Sequence, residues 1–181
     1  MEVFYEFNKE NLETSIALGY FDGVHIGHEK VIRQAVSYKK EGLKPIVMTF
    51  RSSPRCEIMG NEEIRLTPES KKIKIFSDLG VETLYIIDFL KIKYLTAEEF
   101  VKKVLMETLN VKRAVCGFNY TFGLGGESSA EDLKIQCFKF GINVEIVSAV
   151  KYKDEIVSST RIRKAIADNE FSDIENMTHN L

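Results

Sequence analysis

Short apolar runs alternate with stretches whose apolar residues fall three and four apart, almost from one end of the chain to the other. Ser15–Phe21, Lys44–Phe50, Val81–Phe89, Val111–Gly117 and Ile142–Val147 read as buried strands. Gly27–Glu41 reads as a helix with Val31, Ile32, Ala35 and Val36 on one face, closed by Gly42 just past its end. Thr67-Pro68-Glu69 opens a second helix, with Thr67 as its cap and Pro68 at the first helical position, and Gly80 ends it. Thr96-Ala97-Glu98-Glu99 is a capping box for a helix to about Leu109. Ser128–Phe140 is a further helix, Lys151–Val157 is extended, and Ser159–Asp168 is helical.

Strands separated by helices of this length predict an α/β fold. The expected form is a doubly wound parallel sheet of about five strands, with right-handed crossovers and helices on both faces. No repeat or linker interrupts the 181 residues, so residues 1–181 are expected to form a single domain. Ligands in such folds sit beyond the carboxyl ends of the strands. The loops 20–28 and 117–127 fall there and are expected to share one cleft.

Charge removes some partners from consideration. With 25 basic and 27 acidic residues the chain carries a net charge of −2, too little positive charge to hold nucleic acid non-specifically. Few aromatics stand among basic residues, so nucleic acid is not an expected partner. No apolar run reaches the roughly 20 residues that span a bilayer, and the first residues do not read as a signal peptide, so no membrane partner is expected. Cys56, Cys116 and Cys137 are odd in number and widely spaced, as befits reduced thiols in cytoplasm. Cys116 lies within a strand pattern and reads as core.

The chemistry is concentrated in two places. GYFDGVHIGH, Gly19 to His28, puts two of the three histidines three apart between a strand and a helix. A helix start leaves backbone N–H groups unpaired and carries the positive end of the helix dipole. Gly23 and Gly27 permit a tight turn and close backbone approach, and His25 and His28 add donors beside them. The combination suits a polyphosphate. Two plainer readings stand beside it, a satisfied helix cap and a metal site using Asp22. Histidines at i and i+3 fit a metal poorly and the remaining histidine is His179 near the tail, so no protein metal site is expected.

VSSTRIR, Val157 to Arg163, is the second place. Ser158, Ser159 and Thr160 lead into a helix, and Arg161 and Arg163 follow. An ordinary capped surface helix would look the same. Capping hydroxyls beside guanidinium groups also suit a triphosphate.

GYFDGVHIGH closely resembles the H-x-G-H signature of the nucleotidyltransferases, a Rossmann-like superfamily, and SSTRIR resembles the second nucleotide motif of its prokaryotic FAD synthetase branch. Thr49-Phe50 with Pro54, Arg65-Leu66-Thr67 with Lys71 or Lys72, Thr96–Val101 and GFNYTFG (117–123) match that branch in order, so the resemblance covers about residues 15–170. It implies transfer of AMP from ATP to FMN, giving FAD and pyrophosphate, with Mg²⁺ carried on ATP. It further implies that His25 and His28 contact the ATP phosphates, helped by Gly19, Phe21, Asp22, Gly23 and Gly27. Ser159, Thr160 and Arg161, with Arg163 a weaker candidate, would bind the β- and γ-phosphates and neutralise the leaving pyrophosphate. Asn119 would position the FMN phosphate. Phe50, Tyr120 and Phe122 are candidate neighbours of the flavin ring and equally candidate core aromatics.

The sequence departs from the branch in Asn119-Tyr120, where Asp-Phe is commoner, in the early Gly125 and Gly126, and in a missing first proline after Thr49-Phe50. Most bacterial members continue into a riboflavin kinase domain of β-barrel type, which the residues to Leu181 do not contain. The expected complement is a separate riboflavin kinase or a kinase domain on a longer chain. Two other functions remain open from the sequence: a different phosphomonoester acceptor, and a nucleotide- or flavin-binding module without turnover.

Overall fold

A computed structural model describes residues 1–60 and 65–178; His179, weighed above as a metal ligand, lies outside them. The centre is a six-stranded sheet. In chain order the elements are β1 (Glu2–Phe4), β2 (Thr14–Leu18), α1 (Ile26–Ser37), β3 (Lys44–Phe50), α2 (Pro54–Met59), α3 (Glu69–Asp78) and β4 (Thr83–Ile87). Then come α4 (Ala97–Glu99, continued as a π-helix over Phe100–Thr108), β5 (Val111–Gly117), β6 (Thr121–Phe122), β7 (Ser128–Ser129), α5 (Ala130–Phe138) and β8 (Asn143–Val147). The chain closes with the hairpin β9 (Lys151–Tyr152) and β10 (Glu155–Ile156), then α6 (Ser159–Ala167) and α7 (Phe171–Met177).

The strand order is β1-β4-β3-β2-β5-β8 with every pair parallel. That is one strand more than the five expected, because Glu2–Phe4 pairs along β4 at the edge. Three residues are too few for a period to be read.

Side chains of a strand point to alternate faces, and the two cores divide accordingly. Ile16, Leu18, Ile46, Met48, Tyr85, Ile87, Ala114 and Cys116 pack with Phe100, Val104, Leu105, Leu133 and Cys137 on one face. Ala17, Val47, Leu84, Ile86 and Val115 pack with Val31, Ile32, Ala35, Ile75 and Phe76 on the other. Cys116 is therefore core, as expected. A third, smaller cluster joins Val157, Ile162, Ala165, Ile174 and Met177 of the C-terminal elements.

Two local expectations are corrected. The run Ser15–Phe21 leaves the sheet after Leu18, since Phe21 adopts φ 53 and cannot continue a strand. Thr67 does not cap α3 with its side chain: Pro68 holds the cap position, and the buried Thr67 hydroxyl has no partner among the described residues. The capping box of α4 is present in full, with Thr96 and Glu99 satisfying each other's backbone N–H. Strand β2 lies between β3 and β5, so chain direction diverges at its carboxyl end and opens the crevice there.

Candidate active site

The turn after β2 is held by one carboxylate. Asp22, 2% exposed, accepts from the backbone N–H groups of Leu66 (3.1 Å) and Thr67 (3.2 Å) and from Arg163 Nη2 at 2.6 Å. Its carbonyl accepts from the Ser159 hydroxyl at 2.7 Å. Three distant segments, the approach to α3, the turn itself and α6, thus meet on Asp22. Its carboxylate points to protein donors.

The two histidines work as a stacked pair. His25 caps α1: its Nδ1 accepts from the His28 N–H at 3.2 Å, which places the proton of the neutral ring on Nε2. The rings lie 3.6 Å apart between centroids and 18° from parallel, and His28 meets the Phe21 ring edge-on at 5.3 Å. Gly27 permits this, because a Cβ there would stand 3.1 Å from His25 Nδ1 and Cε1. Burial pushes the His25 imidazole down to about 4. Burial, then the neighbouring His25 and Lys72, holds His28 well below the usual imidazole range. Both rings are neutral at pH 7. The buried His28 Nδ1 has no hydrogen-bond partner among the described residues.

The start of α6 forms the opposite wall. Ser158 caps it by accepting from the Arg161 N–H at 3.2 Å, while Ser158, Ser159 and Thr160 line the cleft. The arginines are turned elsewhere. Arg161 Nη1 donates to the carbonyls of Tyr152 (2.8 Å) and Glu155 (2.9 Å), and its Nε lies 3.4 Å from the Glu155 carboxylate. Arg163 is the partner of Asp22.

Two adjoining cavities result. The first, about 400 Å³, is lined by Gly19–Asp22, His25, Gly27, His28, Asn119 and Ser158–Thr160, with Val147–Val150 from the loop after β8. The second, about 330 Å³, is walled by Ile58, Met59, Phe89, Ile92, Phe100, Phe122 and the glycines Gly123, Gly125 and Gly126. They meet at Phe50, Pro54, Tyr120 and Thr121, which line both. Tyr120 and Phe122 are stacked 6.0 Å apart, and Phe50 meets Phe89 edge-on at 5.5 Å.

Residues 7–161 match the FAD synthetase family model, some six-sevenths of the chain. The chain belongs to the FAD synthetase family. A bifunctional riboflavin kinase/FMN adenylyltransferase of Listeria monocytogenes is 35% identical over 87% of this chain and 51% of its own length. That of Bacillus subtilis is 33% identical over 90% and 52%. A Listeria monocytogenes protein named FAD synthetase is 32% identical over 94% of this chain and 70% of its own. The chain thus spans about half the length of the bifunctional relatives. A solved structure from Streptococcus pneumoniae, called a macrolide-efflux protein, superposes with a TM-score of 0.85 at 32% identity, over 98% of this chain and 61% of its own. Among the described residues no helix is long and apolar enough to cross a membrane.

Within this family frame, the two loops expected to share a cleft do so, joined by the start of α6. Phe50, Tyr120 and Phe122 border the apolar cavity, and Asn119 the polar one. Of the residues expected to touch phosphate, Arg161 bonds the hairpin and Arg163 bonds Asp22. Sequence reasoning missed the α2 wall, the loop Val147–Val150, and Lys72. The lysine stood in a recognised motif beside Lys71; only burial separates the two, Lys72 being 7% exposed.

Proposed function

We propose that the chain transfers the adenylyl group of ATP to the phosphate of FMN, giving FAD and pyrophosphate. The observation that carries this reading is the pair of adjoining cavities, a polar one under two helix starts and an apolar, aromatic-lined one beyond Phe50 and Tyr120. The first suits a triphosphate and the second a flat, apolar ring system. Family membership and the names of the relatives agree with it.

In the reaction an FMN phosphate oxygen forms a bond to the α-phosphorus of ATP. The bond from that phosphorus to the bridging oxygen breaks, and the electron pair leaves with pyrophosphate. Both reactants are anions, so positioning and charge neutralisation are the protein's task. Mg²⁺ enters with ATP as part of the substrate. Neutral His25 and His28 present N–H donors without competing carboxylates, and negative charge gathering on the leaving group draws their pKa values upward. Ser158–Thr160 line the same cavity, where the Ser159 hydroxyl donates to the Asp22 carbonyl and the Thr160 hydroxyl and the helix-start backbone would meet the phosphates. Asn119, an amide where a carboxylate is commoner, adds no further negative charge at the junction and can donate to the acceptor phosphate.

Cys116 and Cys137 are buried core thiols, in keeping with action in a reducing cytoplasm. A kinase step is not assigned to this chain; riboflavin would be phosphorylated by a separate riboflavin kinase or a kinase domain. The test is incubation with MgATP and either FMN or riboflavin, with flavins separated by chromatography. FAD from FMN alone is the expected result. A folded protein that binds ATP yet yields no FAD would refute the assignment, and product from another phosphomonoester would redirect it.

A further inference from the structure

The Tyr20 carbonyl accepts two side-chain hydrogen bonds, from the Thr49 hydroxyl at 2.6 Å and from the Lys72 ammonium at 3.0 Å. Thr49 is fully buried and Lys72 nearly so. The ammonium also lies 5.0 Å from the centre of the Tyr20 ring. Burying a charged amine costs several kcal/mol unless the site compensates it. Here its hydrogen bond goes to one carbonyl in the turn that leads to His25 and His28.

The geometry of that peptide gives the lysine a purpose. In a trans peptide the C=O and the following N–H point in opposite directions, and the described chain contains no cis bond. Holding the Tyr20 carbonyl toward Lys72 and Thr49 therefore turns the Phe21 N–H the other way. Gly19, Tyr20 and Phe21 all line the polar cavity, and none of the described residues accepts from that N–H. Phe21 sits at φ 53, where a residue with a side chain stays only if its surroundings hold it.

We propose that Lys72 is a positioning residue for adenylyl transfer: by anchoring and polarising the Tyr20–Phe21 peptide, it presents the Phe21 N–H to the phosphate undergoing transfer. The inference rests on the adenylyl-transfer reading of the site. The ammonium itself does not touch substrate; its charge reaches the reaction through one peptide dipole. The charged and titratable groups around it are Asp22 after β2, Arg51 after β3, Arg65 and Glu69 at the approach to α3, and His28 on α1. Among these Asp22 and Glu69 favour the ammonium and Arg65 opposes it, while burial, the largest influence, lowers its pKa to about 8.

The test compares wild type, Lys72→Met and Thr49→Val for kcat, for KM of ATP and FMN, and for unfolding midpoint, between about pH 6 and 9.5. Loss of a preorganised donor lowers turnover by roughly 10²-fold, so Lys72→Met is expected to lose at least about 30-fold in kcat with KM for ATP within about threefold. Wild-type kcat is expected to decline on an alkaline limb near pH 8, where the ammonium is lost, and Lys72→Met to lack that limb. Thr49→Val removes the second donor to the same carbonyl and is expected to lower kcat about fivefold, again at nearly constant KM. A folded Lys72→Met with kcat within twofold of wild type overturns the inference. Should Lys72→Met not fold, an unchanged kcat in folded Thr49→Val overturns it equally. Wild type that makes no FAD refutes the reading of the site itself, and the role of Lys72 with it.

Discussion

Two helix starts face the same cavity, and they are built on opposite plans. At α1 the side chains proposed to meet the phosphates, His25 and His28, lie against the cavity, are neutral, and include a buried nitrogen with no partner among the described residues. At α6 the charged side chains, Arg161 and Arg163, are drawn away into a hairpin and onto Asp22, and only hydroxyls and backbone remain at the cavity wall. The α1 end thus turns its side chains to the cavity, whereas the α6 end commits its guanidinium groups to contacts within the protein. Guanidinium groups next to a phosphate motif do not by themselves mark phosphate contacts. Arg163 neutralises the buried carboxylate that closes the turn, and so serves the histidines indirectly.

The largest effect should come from the α1 end. On the adenylyl-transfer reading His28→Ala removes a donor to the phosphates and is expected to lower kcat by roughly 10²- to 10³-fold with FMN or any other acceptor. The loss belongs to the transition state, so KM for ATP should change far less. Steady-state kinetics on a variant shown to be folded by circular dichroism decides the matter. A rate within twofold of wild type would mean that the stacked pair is only a helix cap.

The same pair should leave a mark on stability. His25 has a folded-state pKa near 4, below the roughly 6.5 of an unfolded imidazole, so the unfolded chain binds the proton more readily. The stabilisation is therefore full above about pH 6.5, falls as pH drops toward 4, and is absent below it. A difference of this size amounts to on the order of 3 kcal/mol. Urea titrations of the ligand-free protein from pH 7 to 4 are expected to show this decline, and His25→Asn to flatten part of it. Saturating ATP should flatten it as well, because a bound polyphosphate stabilises the protonated rings. An equally steep decline in His25→Asn would place the proton-sensitive group elsewhere.

How these features could be read from sequence differs by range. The sheet was legible because its strands alternate apolar residues between two faces, and β3 and β5 span the segments expected from that pattern. The cap of α4 was legible because both partners lie within one turn. Thr67 misled because the groups that receive its neighbourhood are remote: Asp22, 45 residues earlier, takes the Thr67 N–H and leaves the hydroxyl idle. The contacts of the arginines were illegible for the same reason. Arg163 reaches back 141 residues to Asp22, a pairing that no local pattern announces. The arrangement of the histidines at a helix start was legible because it is local, one ring capping the N–H of the other residue and both stacked within a single turn. What escaped altogether, β1 and the pair β6 and β7, consists of segments of two or three residues, too short to show a period.

The smallest effect separates the two ends most finely. Arg161 grips the hairpin at both strands, through the Tyr152 and Glu155 carbonyls, and the residues flanking that hairpin, Val150 and Val157, line the first cavity together with Ile156. Lys153 and Asp154 turn the hairpin at positive φ, and Lys153 ties it to Asp173 of α7 at 2.8 Å. The hairpin therefore has a second anchor and should loosen without detaching. Arg161→Met is expected to raise KM for ATP by about threefold to tenfold while leaving kcat within about twofold, the signature of a wall that binds ground state and transition state alike. Arg161→Lys should fall between, since an ammonium lacks the fork that spans two carbonyls. If Arg161 instead swings onto the triphosphate during transfer, Arg161→Met will lose kcat on the scale of His28→Ala, and the α6 end would then act on the phosphates with its side chains as the α1 end does.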